Sequence, residues 1–474
     1  MSKIARLMLS FALSSALSFA LSFVLMSTVM IAVLAGSAAA QQPLTGTLGD
    51  GATYVIDVPA LWNGTLLLYS HGYVAPGWPN PALDVSDPFT SFYMLALGNA
   101  LAGSSYASTG WAVHEAVPDQ IATLDLFQSM VGTPAQTIAW GHSLGGEVTA
   151  ALVQQYPDRF VGAQPMCGVL SGSVGFWNQS LDEGFAFNTL LAGGSLQNVH
   201  ITNPTLNFET AQAILAAAQT TAQGQARIAL VAALGDLPGW FDPTTSEPAS
   251  TDYATQEANQ FLWLQSDTLG TTFAARAEVE FRAGGNPSFN TGVRYDYKLK
   301  RSRDYAEVQS LYAAAGLSLD ADLAALNGAP RFSADPAALT YLTNNVIFNG
   351  QLTVPVLTLH TTGDGVVNDE QERAYRRVVD EAGSTALLRE KFIHRAGHCE
   401  FSPAEMIVAE QTLELRVATG KWSGLGIAQL NNEAAALGPE FNVIDVNGAP
   451  FPAAPTFMNY EPLQFLRLFD AFTQ

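Results

Sequence analysis

The pentapeptide Gly141-His142-Ser143-Leu144-Gly145 has the form G-x-S-x-G. Residues 137–140 before it are apolar and β-prone, and residues 144–156 after it carry helical spacing up to Pro157. A serine at such a strand-to-helix junction sits on a strained turn with its hydroxyl exposed at the end of the strand. The pattern alone arises by chance roughly 0.1–0.3 times in a chain this long, so its meaning rests on partners elsewhere.

A serine hydroxyl is a poor nucleophile until a base takes its proton. Histidine suits that task, and a buried carboxylate orients the ring and stabilises its cation. Both partner types follow strand-like runs. Asp364 lies in Thr361-Thr362-Gly363-Asp364-Gly365 after the run 354–360, and His398 in Arg395-Ala396-Gly397-His398-Cys399 after the run 387–394. In a parallel sheet the carboxyl ends of the strands share one edge, so these loops converge on the serine. The order Ser143, Asp364, His398 suits a nucleophile elbow. Asp369 or Glu370 are the alternative acids. His394 and His360 compete with His398 but lie in strand-like runs, where packing is the expected role. His142 and His114 read as structural. Attack also needs backbone donors for the developing oxyanion. Leu144 N–H at the helix start and Tyr73 N–H in Ser70-His71-Gly72-Tyr73 are the candidates, with His71 bracing that loop.

Residues 41–170 alternate between strand-like runs (53–58, 65–70, 104–109, 137–140) and helix-like runs (92–102, 121–130 after a first turn at Pro118, 144–156), which implies a parallel sheet flanked by helices. Residues 171–345 are rich in Ala, Gln and Leu at helical spacing and read as a large helical insertion. A helix over 403–419 and a Gly/Pro-rich tail ending in the apolar run 463–472 complete the chain.

On these motifs the chain resembles the α/β-hydrolase superfamily, over roughly residues 44–170 and 350–420. The resemblance implies a mostly parallel, eight-stranded sheet with a helical cap inserted after the sixth strand, and the triad Ser143, Asp364 and His398. It divides the chain into a catalytic domain (41–170 and 346–474, with a C-terminal extension from about 420) and a cap (171–345). The His-Gly-Tyr motif resembles the branch with one glycine at the oxyanion loop. The chain runs further past His398 than is usual in the family.

The composition, 48% hydrophobic and 13% charged, indicates a packed globular protein. A formal charge of −21 disfavours nucleic acid and anionic membranes as partners. Lys3 and Arg6 precede an apolar run, 7–36, followed by Ala38-Ala39-Ala40, which reads as a cleaved secretory signal over 1–40; an uncleaved membrane anchor is the alternative. In an export compartment Cys167 and Cys399 can pair, closing a loop long enough to stabilise by about 4–5 kcal/mol. Two buried free thiols are the alternative. No H-E-x-x-H or paired-cysteine spacing suggests a metal, and the chemistry requires no cofactor. The basic run 298–303 reads as a solvated face. Trp78, Phe176 and Trp177 follow strands closely and are candidate walls for an apolar substrate. The expectation is a secreted or periplasmic serine hydrolase. It cleaves small or polymeric carboxylic esters with hydrophobic or aromatic groups through an acyl-enzyme. A peptidase or amidase, or a non-catalytic binding protein on the same fold, is the alternative.

Overall fold

The computed structural model describes residues 42–446, 448–467 and 469–470, and the leader expected over 1–40 lies outside them. Among the described residues no helix is long and apolar enough to cross a membrane. The chain-order strands β1 (Leu44–Thr47), β2 (Thr53–Asp57), β3 (Thr65–Ser70), β4 (Ala100–Ser104), β5 (Gln136–His142), β6 (Gly162–Met166), β7 (Val356–Gly363) and β8 (Leu388–Ala396) form one sheet ordered β1-β2-β4-β3-β5-β6-β7-β8. From β4 to β8 every neighbouring pair is parallel, while β1 and β2 run antiparallel at one edge. The sheet is mostly parallel, as the superfamily resemblance implies, but a further strand from the C-terminal extension makes it nine-stranded rather than eight-stranded. Helices cover both faces, so the central strands are apolar runs rather than alternating ones; Leu66, Leu67, Leu68, Ile138 and Ala139 are wholly buried.

The helix expected over 92–102 and the strand expected over 104–109 are displaced. The helix is Pro88–Ala96, capped by Asp87, whose carboxylate accepts from the Phe89 and Thr90 N–H groups. The chain turns at Gly98 (φ 90°) and enters β4 at Ala100. Ala-Leu-Ala reads as helix by propensity, but here it is a fully buried strand hemmed in on both faces; a Cβ on Gly103 would run into the Leu83 carbonyl. Likewise the next helix spans Val113–Met130, with Pro118 inside it rather than at its start.

Between β6 and β7 the chain is helical from Gly172 to Asn345 and builds its own buried core around Phe187, Ile228, Leu230 and Phe273. Two π-helical turns, Leu264–Thr268 and Thr271–Ala275, interrupt it. The run 298–303 is the solvated face expected only in part: Lys300 and Arg301 are exposed, whereas Lys298 is buried and Arg303 is held in an ion-pair cluster. Asp182 is fully buried in the helix Gly172–Leu190 and draws cations to it, with Lys298 Nζ 2.8 Å away. Arg303 pairs with Asp369 at 3.2 Å and with Glu370.

The C-terminal extension is a strap. A hairpin of β9 (Val443–Val446) and β10 (Ala449–Pro452) leads into β11 (Phe457–Met458), which adds a ninth strand antiparallel to β8. Beyond it Glu461 bonds Arg376 on the helix Glu370–Glu381 at 2.6 Å, and Arg467 reaches Asp182 at 3.0 Å. The tail thus ties the helical segment to the sheet's far side.

Several carboxyls are buried without cations. Burial lifts Glu147 to about 8 against the pull of its Ser173 hydrogen bond, and burial with the nearby Asp304 charge lifts Glu307 to about 9. Each keeps a proton in the folded state that the unfolded chain releases above the ordinary carboxyl range. Their stabilisation is therefore present at acid pH and is lost as pH rises through about 8 to 9. Calorimetry is expected to give a higher Tm at about pH 5 than at about pH 8.5, with Glu147→Gln flattening the difference. A Tm that climbs across that window contradicts this assignment.

Candidate active site

Ser143 joins β5 to the helix Leu144–Gln155 at φ 57° and ψ −124°, a left-handed backbone that non-glycine residues rarely adopt. Glycines make the turn possible. A Cβ on Gly141 or Gly145 would strike the Ser70 carbonyl, and one on Gly146 would lie 2.6 Å from Gly168 Cα. The serine is fixed from the opposite side by Ser143 N–H donating to the Met166 carbonyl at 3.0 Å.

The loops after β7 and β8 bring the other two residues to it. His398 Nε2 lies 2.8 Å from Ser143 Oγ, and His398 Nδ1 lies 2.7 Å from Asp364 Oδ2. The Asp364 side chain is fully buried, and its Oδ1 accepts from Val366 N–H and Val367 N–H at 2.9 Å each. The alternative acids are engaged elsewhere, since Asp369 and Glu370 turn to Arg303. His394 is no core residue: its side chain is 44% exposed, 3.5 Å from Glu247 and beside Trp240. His360 is buried behind Asp364, bonded to Glu372 at 3.0 Å, which sequence reasoning treated as packing alone.

The oxyanion loop lies against the serine. A Cβ on Gly72 would stand 3.3 Å from Ser143 Cβ and 3.8 Å from its Oγ, so a side chain here would crowd the nucleophile. His71 stacks on Tyr106 with ring centres 4.0 Å apart and its Nδ1 lies 2.7 Å from the Gly72 carbonyl, while burial pushes its own pKa down. Among the described residues neither Tyr73 N–H nor Leu144 N–H has an intramolecular acceptor. His142 is neutral, held at about 3 by burial and then by the His398 charge, and lies 3.1 Å from the Tyr69 hydroxyl.

Cys167 and Cys399 form a disulfide with Cα atoms 5.4 Å apart, linking the turn after β6 to the turn after β8. Cys399 Sγ lies 3.4 Å from His398 Nε2. Cys167, His398 and Cys399 lie close enough to share a metal ion, but the disulfide occupies both sulfurs.

A cavity of about 660 Å³ opens beside this site, with walls that include Tyr73, Phe89, Phe401, Met406 and Ile444. Its polar lining includes Asp87, Glu400 and Asp445, and no lysine or arginine is among its lining residues. Burial lifts Glu400 to about 7, against the charges of Arg395 and His398. The expected aromatic walls lie elsewhere. Trp78 is 72% exposed outside this cavity. Trp177 is buried edge-on to Trp111, with Arg276 over its ring at 5.2 Å. Phe176 stacks on Trp111 and borders a small cleft with Gly365 and Val366. Phe401 stands three residues past His398 and could have been named from that spacing; Ile444 comes from the tail hairpin, which carried no signal.

No known family profile matches the chain. In sequence it is similar to an o-phthalyl amidase from Xanthobacter agilis, 28% identical over 442 residues that cover 86% of this chain and 94% of that one. Among solved structures it is similar to feruloyl esterase B from Aspergillus oryzae, with 14% identity, 81% and 82% of the two chains covered and a TM-score of 0.41. It is also similar to an acylaminoacyl peptidase from Pyrococcus horikoshii, with 9% identity, 83% and 44% covered and a TM-score of 0.38.

Proposed function

We propose that this chain, on its α/β-hydrolase fold, is a hydrolase that cleaves carboxylic esters through an acyl-enzyme on Ser143. The observation that carries the reading is the continuous chain from Ser143 Oγ through His398 to the buried Asp364 carboxylate. Ser143 Oγ attacks the carbonyl carbon while His398 Nε2 takes its proton. Asp364 holds Nδ1–H and stabilises the imidazolium. Tyr73 N–H and Leu144 N–H receive the oxyanion. His398 returns the proton to the leaving alcohol, leaving the acyl group on Ser143. A water then gives a proton to His398, attacks the acyl carbon and releases the acid, and the proton goes back to Ser143 Oγ.

The cavity beside Ser143 is apolar and aromatic, which suits hydrophobic or aromatic groups. Its charged lining is acidic, so neutral substrates fit better than anionic ones. The helical segment 171–345 acts as a cap over this catalytic domain. The leader and the disulfide fit a secreted or periplasmic protein. A second reading, cleavage of amides, is favoured by the likeness to the o-phthalyl amidase. A phthalyl group retains a carboxylate, however, for which the cavity offers no counter-charge among its lining residues.

Four matched substrates separate the two: an aryl ester and an anilide of benzoic acid, and the same pair bearing an ortho-carboxylate. The uncharged ester is expected to give the highest kcat/KM, by at least about tenfold over its ortho-carboxylated counterpart. A higher kcat/KM on the ortho-carboxylated anilide overturns the ester reading in favour of the amide.

A further inference from the structure

Asp364 has an imidazole on each side. His398 Nδ1 lies 2.7 Å from its Oδ2, and His360 Nε2 lies 3.6 Å from the same oxygen. His360 sits on β7 with its side chain fully buried and both ring nitrogens engaged. Its Nε2–H donates to the Val367 carbonyl at 2.8 Å, and its Nδ1 lies 3.0 Å from Glu372 Oε1. Glu372 Oε2 in turn accepts from the Thr358 hydroxyl at 2.5 Å. Val367 is the residue whose N–H donates to Asp364 Oδ1, so His360 grips the turn that grips the carboxylate.

We propose that His360 and Glu372 form a positioning pair behind Asp364, extending the Ser143–His398–Asp364 chain by a second, charged layer. The inference rests on reading Asp364 as the partner of His398. Burial opposes charge on His360, but the hydrogen bond and charge of Glu372, followed by the charge of Asp364, raise it to about 9. An imidazolium therefore faces Asp364 at neutral pH and shares its negative charge with His398. Asp369 also faces His360 from the start of the helix Glu370–Glu381, and Glu390 on β8 faces Glu372 while bonded to Arg376. His398 is faced by His142, Asp267 and Glu400. These groups stay in place in every variant below. Nothing in the ester chemistry requires a second histidine; a fully packed apolar residue would serve the core equally.

The test uses the full chain and the variants His360→Gln, Glu372→Gln and their double combination, with kcat/KM of a neutral aryl ester followed from about pH 5 to 10 beside Tm. With the cation removed, Asp364 gives its whole charge to His398. The acid limb of the profile then moves up by about 0.5–1 pH unit, and plateau kcat falls about tenfold with KM within about twofold. An acid limb that stays put or moves down, with only Tm lowered, makes the pair a packing feature and overturns the proposal. Should His360→Gln fail to fold, Glu372→Gln and the wild-type ¹⁵N-histidine spectrum decide; a neutral His360 ring at about pH 7 overturns it as well. Absence of fluorophosphonate labelling at wild-type Ser143 would sink the hydrolase reading itself, whereas normal labelling with an unmoved limb sinks only this pair.

Discussion

Ser143→Ala is expected to lower kcat by about 10⁴–10⁶-fold and to leave the fold intact. The hydroxyl bonds His398 at 2.8 Å, while the left-handed turn is held by the neighbouring glycines and by the backbone bond to Met166, neither of which alanine disturbs. What survives is the contribution of Tyr73 N–H and Leu144 N–H, which do not depend on the side chain. His398→Ala is expected to match it, because nucleophile and base act as one unit and their losses do not add. Asp364→Asn is the more informative companion. Asparagine can still accept from Val366 and Val367 through its oxygen but presents an amide to His398, so about a 10⁴-fold loss without unfolding is expected. Steady-state kinetics with circular dichroism checks all three. Turnover near normal in either Ser143→Ala or His398→Ala refutes the assignment.

The second large effect concerns stability. The disulfide spans a sequence separation of 232 residues, and in the chain-entropy model a loop of that size stabilises by about 5 kcal/mol. The double replacement Cys167→Ser/Cys399→Ser is expected to lower Tm by about 5 °C, and reductant is expected to bring the wild type to the same value. The bridge also anchors the residue next to His398. Activity should therefore be lost at a lower temperature than the global transition once the turn after β8 is freed. Thermal scans with and without reductant measure both. Wild-type Tm in the double variant would mean that the sheet alone holds these turns.

The three turns that carry the chemistry were legible because their signals are local. A glycine two residues either side of Ser143, an acid in a Gly-rich turn and a histidine after an apolar strand need no knowledge of the rest of the chain. The helix Pro403–Thr419 was equally plain, since Ser402 and Glu405 form a capping box at its start. What escaped depends on distant partners. Ala100–Ser104 is a strand only because β2 and β3 flank it and leave room for small side chains. Within the basic run 298–303 the ion pairs of Lys298 and Arg303 are not legible, because their acids, Asp182, Asp369 and Glu370, lie far away in sequence. His360 read as a packing residue because Glu372 comes from the next helix. Trp78, Phe176 and Trp177, which follow the strands ending at Ser70 and Met166, do not wall the cavity, part of which belongs to the tail hairpin.

The position of the helical segment also sets a timetable for the growing chain. Strands β6 and β7 are neighbours in the sheet but are separated by residues 167–355, so the sheet cannot close until the chain beyond the helical segment is in place. Until then β6 lacks its partner β7, and Ser143 lacks the loops that carry its base and acid. Only when β7, β8 and the strap arrive do the edge, the charge relay and the clasp across Asp182 close together. The same late strands therefore complete the edge of the sheet and supply the acid and base of the site.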